Sequence, residues 1–89
     1  MTGRTEVLHQ ADALINGPRA EAYGPPQVNF RRIADLWQPI FGIGVTPSQV
    51  ALALAQLKVA RLIQSPDHED SWIDAAGYIA LGGELATDG

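Results

Sequence analysis

The chain has 89 residues, of which 46% are hydrophobic and 18% charged, with no cysteine and a formal net charge of −4. One domain over 1–89 fits that length, and an apolar share this large suits a globular domain better than a disordered tail. The missing cysteines exclude disulfides and thiolate metal sites. The acidic balance argues against broad contact with nucleic-acid backbone, and no apolar run reaches the roughly 18 residues of a membrane span.

The opening MTGRTEVLHQ lacks the basic start and apolar run of a signal peptide. Together with the absence of cysteine, it points to a cytoplasmic protein. Val7, Leu8, Ala11, Leu14 and Ile15 recur at helical spacing, with Thr2 or Thr5 as N-cap and Asn16, Gly17 and Pro18 as the stop. The stretch 19–26 reads as a constrained, ordered loop, because consecutive prolines at 25 and 26 disfavour helix before them.

A second helix starts near Pro26 and gathers Phe30, Ile33, Ala34, Trp37 and Phe41 on one face, with Arg31, Arg32 and Asp35 opposite. Pro39 is expected to kink or end it. Thr46 and Pro47 then open a third helix that runs to about 64. Val50, Leu54, Leu57, Val59, Ala60, Leu62 and Ile63 make it apolar almost all round, the pattern of a central or interface helix.

A fourth helix, from about 71 to 86, follows the acidic cluster Asp67, Glu69 and Asp70, which suits the positive end of a helix dipole. Its Gly77, Gly82 and Gly83 weaken a lone helix and so mark places where another backbone or a ligand comes close. The predicted fold is all-α, a small four-helix bundle. A chain this short buries little surface, so homo-oligomerisation is expected to complete it.

Three groups of residues carry candidate chemistry. Tyr23, Gly24, Pro25 and Pro26, followed by Asn29 and Phe30, form a rigid approach that brings a ring and an amide to a helix start, where free N–H groups favour anions. The same residues also suit an ordinary interhelical turn with a buried ring. Lys58 and Arg61 stand one turn apart on an otherwise apolar helix and need partners there. Either they pair with Asp70 and Asp74 in a structural network, or they bind phosphate, and a network can hand its donors to a ligand.

Asp70 and Asp74, four apart, share a helix face that could hold a divalent cation or accept hydrogen bonds from a base or ribose. Asp70 also suits a plain helix cap, the more common use of an acid in that position. Trp72 between them reads as core or as a stacking surface. His9 and His68 have no second histidine or cysteine at ligand spacing and read as surface residues.

Ala22, Tyr23, Gly24, Asn29, Phe30, Ile33, Ala34 and Trp37, then Lys58, Ala60 and Arg61, then Asp70, Ser71, Trp72, Asp74, Ala76, Gly77 and Tyr78 form one joint pattern. It resembles a family of small, mostly phage-borne proteins of uncharacterised function. That family is similar to the nucleotide-modification-associated domains and, more remotely, to MazG-like all-α nucleotide pyrophosphohydrolases. The resemblance spans about 4–86 and implies a helical, oligomeric protein of the bacterial host cytosol that handles nucleotides. It implies roles for Tyr23, Lys58, Arg61, Asp70 and Asp74. Two departures stand out: Pro25 occupies the place of an acid usual in the family, and no Glu-x-x-Glu is present.

The first functional expectation is a protein that binds or sequesters a nucleotide or nucleotide-derived signal without turning it over. In that reading Lys58 and Arg61 take phosphate, Tyr23 or Trp72 meets the base, and Asn29, Asp70 and Asp74 complete the set. The alternative is a divalent-metal-dependent pyrophosphohydrolase with Asp70 and Asp74 holding magnesium, for which two carboxylates are a thin donor set. Magnesium is expected only under that alternative. A structural interaction module is the third reading.

Overall fold

Glycine and proline punctuation divides the chain into five helices in the computed structural model, which describes residues 2–87: α1 (Arg4–Asn16), α2 (Pro18–Tyr23), α3 (Pro26–Phe41), α4 (Pro47–Gln64) and α5 (Glu69–Thr87). No strand is present among the described residues, so the all-α expectation holds. The four-helix count does not, because α2 occupies most of the stretch expected to be loop.

The reason is local. The restriction imposed by Pro25 and Pro26 falls on the residues immediately before them, Gly24 and Pro25, and leaves 18–23 untouched. Pro18 sits at the first helical position, where its missing N–H costs nothing. Gly24, at φ 80°, closes the turn by donating its N–H to the carbonyls of Ala20 and Glu21. The break before α2 also needs glycine, since a Cβ on Gly17 would lie 2.5 Å from the Ala13 carbonyl oxygen.

The other helix ends follow their capping chemistry. α1 starts on Gly3 without a side-chain cap, so neither Thr2 nor Thr5 serves that role; Thr5 lies inside the helix and Thr2 one residue too early. α3 runs through Pro39 to Phe41 and is ended instead by Gly42, in the left-handed region at φ 73°, whose N–H reaches the Gln38 carbonyl at 2.8 Å. Proline is tolerated so near the end because only the Asp35 carbonyl loses its helical donor. α4 opens on a complete capping box: the Gln49 N–H donates to Thr46 Oγ1 at 3.2 Å, and the Thr46 N–H donates to Gln49 Oε1 at 2.9 Å.

α4 and α5 make the most extensive contact, α1 packs on α5, and α3 packs on α4. A four-residue link, 65–68, turns α5 back along α4, and the pairing of Gly82 with Ala51 and of Asp74 with Lys58 shows the antiparallel register. Phe30 and Ala34 of α3 meet Val50 and Ala51 of α4 in the core, with Trp37, Leu54, Tyr78 and Leu81 packed around them. Two of the three glycines of α5 are close-approach positions. A Cβ on Gly77 would lie 3.0 Å from Ile15, and one on Gly82 would lie 3.1 Å from the Ala51 Cβ. Gly83 has nothing within 4 Å, so the expected close neighbour is not found within this chain.

Candidate functional site

α1, α2, α3, α4 and α5 all contribute walls to a cleft of about 310 Å³, at the lower end of the range that holds small ligands. Its α5 wall is the stripe Asp74, Gly77, Tyr78 and Leu81, spaced i, i+3, i+4 and i+7. Leu54 and Lys58 of α4 face it one turn apart, Ile33, Phe30 and Asn29 come from α3, and Leu14 and Ile15 from α1. The lining is therefore apolar in its depth, with few polar groups. Gly77 keeps the Ile15 side of this wall close, because any side chain there would push α1 away from α5.

The polar groups are concentrated. The Lys58 ammonium donates to the Asp74 carboxylate at 3.0 Å, each side chain about a quarter exposed. This is the one ion pair among the described residues. Partial exposure lets both ions keep some water, so the pair contributes only about 1 kcal/mol or less. Its more useful effect is to hold the ammonium at one place on the cleft wall. Asn29, half-buried in the first turn of α3, and the rings of Tyr23 and Tyr78 supply the remaining polar atoms.

Of the residues singled out in the sequence, the cleft brings together Tyr23, Asn29, Lys58 and Asp74. Arg61, Asp70 and Trp72 do not line it. Arg61 lies three residues beyond Lys58 and Asp70 four residues before Asp74. Each therefore stands roughly 5 Å further along its helix, past the end of the cleft. Both are exposed, and the four-membered network expected from Lys58, Arg61, Asp70 and Asp74 reduces to the single Lys58–Asp74 pair. Trp72 is neither core nor cleft wall. It is half exposed, and its indole Nε1 donates to the Pro66 carbonyl at 2.8 Å, pinning the link between α4 and α5.

His68 also departs from its expected surface role. Its Nδ1 lies 2.7 Å from the hydroxyl of Ser71, a side chain only 1% exposed. The two residues share a hydrogen at the start of α5 and satisfy a buried polar group. His-x-x-Ser spacing across a helix start was the available signal. Tyr78 was the missed cleft residue, one turn past Asp74 and so on the same stripe.

Among the described residues no group of three His, Cys, Asp or Glu side chains comes together as a metal site would require. No helix there is long and apolar enough to cross a membrane.

Fold and cleft thus define an all-α protein whose helices line a small, mostly apolar cleft with an ion pair on its wall. The chain belongs to a phage-associated family: residues 6–86 match the family described as Domain of unknown function (DUF6378). It is similar to the Gene 55 protein of Mycobacterium phage L5, at 41% identity over 76 residues covering 84% of this chain and 49% of that protein. It is also similar to the Gene 55 protein of Mycobacterium phage D29, at 36% identity over 72 residues covering 81% and 48%. The chain spans about half the length of these curated relatives. No solved structure matches it.

Proposed function

We propose that the chain binds a nucleotide or nucleotide-derived small molecule in the cleft between α1, α3, α4 and α5 and holds it without turnover. The observation that carries this reading is Lys58, fixed by Asp74 at 3.0 Å on the wall of a cleft otherwise lined mostly by apolar and aromatic side chains. An ammonium has three donors. One is committed to Asp74, and the others remain for a phosphate. Tyr23 and Tyr78 offer ring surface to a base, and the Asn29 amide offers both a donor and an acceptor to a base edge.

Binding without hydrolysis is supported by the carboxylate inventory. Asp74 is the one acid on the cleft wall, and it is engaged by Lys58. Hydrolysis of a phosphoanhydride by metal-activated water draws on several carboxylates to hold magnesium beside a highly charged substrate. Asp70 stands one turn away, outside the lining.

The test is calorimetric titration with nucleoside mono-, di- and triphosphates, with and without magnesium, followed by analysis of the products. The expected result is binding that leaves the nucleotide intact and that Lys58→Ala weakens by about 1.5–3 kcal/mol, the range for a hydrogen bond to a charged group. Arg61→Ala should change affinity less than Lys58→Ala. Equal affinity for wild type and Lys58→Ala would remove the ammonium from the site. Metal-dependent release of pyrophosphate or monophosphate, lost in Asp74→Asn, would replace the binder by a hydrolase.

A further inference from the structure

We infer that the cleft selects a nucleotide carrying a single phosphate, an inference that rests on the reading of the cleft as a nucleotide site. The observation behind it is what the lining can offer an anion. Among the described residues that line the cleft, Lys58 is the one cation and Asp74 the one acid. They lie 3.0 Å apart, so the wall is neutral as a whole. Its positive end is a single ammonium with one of its three donors already engaged. Asn29, Tyr23 and Tyr78 supply the other polar side chains and bring no positive charge.

Backbone donors do not add a second anion position. Helix starts hold phosphate through free N–H groups, and the start of α3 lies on the cleft, with Pro26 and Asn29 in its lining. There the donors are absent or spent. Pro25 and Pro26 have no N–H, and the N–H groups of Val28 and Asn29 both donate to the Pro25 carbonyl at 3.0 Å. The Gly24 N–H just before them goes to the Ala20 and Glu21 carbonyls. Gln27 keeps its N–H, but this residue is exposed and outside the lining. The anion site expected at this helix start is therefore closed by its own prolines.

Nor does the space beyond Lys58 help a longer tail. Arg61 and Asp70 stand one turn further along α4 and α5, at the same end because the two helices run antiparallel, and both are exposed. A run of phosphates leaving the cleft there meets one charge of each sign. A phosphate monoester already carries about −1.5 to −2 near pH 7, more than one ammonium balances. Each further phosphate adds negative charge without a new partner, in a chain whose formal net charge is −4, and unmatched charge against an apolar wall is costly. Removing the phosphate altogether forfeits the charge-assisted hydrogen bonds to Lys58. The cleft volume of about 310 Å³, near the lower limit for small-ligand sites, also suits the shorter molecule.

Calorimetric titration of the full chain with adenosine, guanosine, cytidine and uridine, each beside its 5′-mono-, di- and triphosphate, tests this without magnesium and at fixed ionic strength. For the base that binds, affinity should peak at one phosphate, with the nucleoside and the triphosphate each about tenfold weaker. In Lys58→Gln the monophosphate should fall to the level of the nucleoside. Affinity that is level across the series, or highest for a di- or triphosphate, overturns the inference while the nucleotide reading stands. A nucleoside that binds as tightly as its monophosphate overturns it from the other side, and so does a monophosphate preference that survives in folded Lys58→Gln. Failure of every compound to bind overturns the nucleotide reading itself, and this inference with it. The wild-type series is decisive whether or not the variant folds.

Discussion

The cleft has two unlike walls. The α4–α5 pair opens on a capping box, is joined by a link pinned through Trp72, carries the Lys58–Asp74 pair, and buries four residues from each helix. α1 and α2 have no side-chain cap at either N-terminus, and Ala11 is the one buried residue given by α1. Packing of an amphipathic face, more than helix propensity, stabilises helices in proteins, so the first wall is a frame and the second leans on it. The cleft between them therefore presents a fixed ammonium on one side and the more easily displaced turn of Tyr23 and Gly24 on the other.

The comparison predicts where substitutions hurt. Phe30→Ala should have the largest effect, a loss of about 3–5 kcal/mol, because it empties the place where α3 is anchored to Val50 and Ala51. Denaturant unfolding measures this, and a loss below about 1 kcal/mol would mean that α3 is held elsewhere.

Next comes a contrast between neighbouring glycines. Gly82→Leu should destabilise by about 1–3 kcal/mol by forcing α5 off Ala51. Gly83→Ala, with open space around it, should stabilise by about 0.5–1 kcal/mol through helix propensity alone. Thermal unfolding of the two variants should move the midpoint in opposite directions. Equal effects would deny that the close approach of α4 and α5 sets the strength of that wall.

The smallest effects concern the caps. Thr46→Ala should cost about 1 kcal/mol, while Gly3→Ser, which offers α1 the cap it lacks, should add only a few tenths. Hydrogen exchange sharpens this end of the comparison, with α2 amides expected to exchange well before those in the middle of α4. Protection of α2 equal to that of α4 would erase the distinction between the walls.

What was legible in the sequence tracks the range of the interaction that produces each feature. Thr46, Pro47 and Gln49 announce the start of α4 because capping is decided within four residues. The core stripe Phe30, Ile33, Ala34 and Trp37 was legible from its period. α2 was not, because Pro25 and Pro26 drew the loop boundary too wide and six residues are too few to show a period. Of the residues singled out by type and spacing, Tyr23, Asn29, Lys58 and Asp74 line the candidate cleft. Arg61 and Asp70 shared that spacing, but their exclusion depends on where the cleft ends along α4 and α5, which is a tertiary fact. Gly77 and Gly82 signalled close approach correctly, whereas the partners, Ile15 and Ala51, come from distant parts of the chain.

The two tryptophans fall one in each half of the structure: Trp37 is half-buried beside the edge of Phe41, with ring centroids 6.1 Å apart, and Trp72 lies half exposed on the Pro66 carbonyl. The chain therefore carries its own pair of optical reporters. Emission from Trp37 follows the packing of α3, and emission from Trp72 follows the link between α4 and α5. With Trp37→Phe and Trp72→Phe as single-probe versions, coincident unfolding curves would mark one cooperative unit. An earlier transition at Trp37 would show that α3 loosens while the α4–α5 frame still stands.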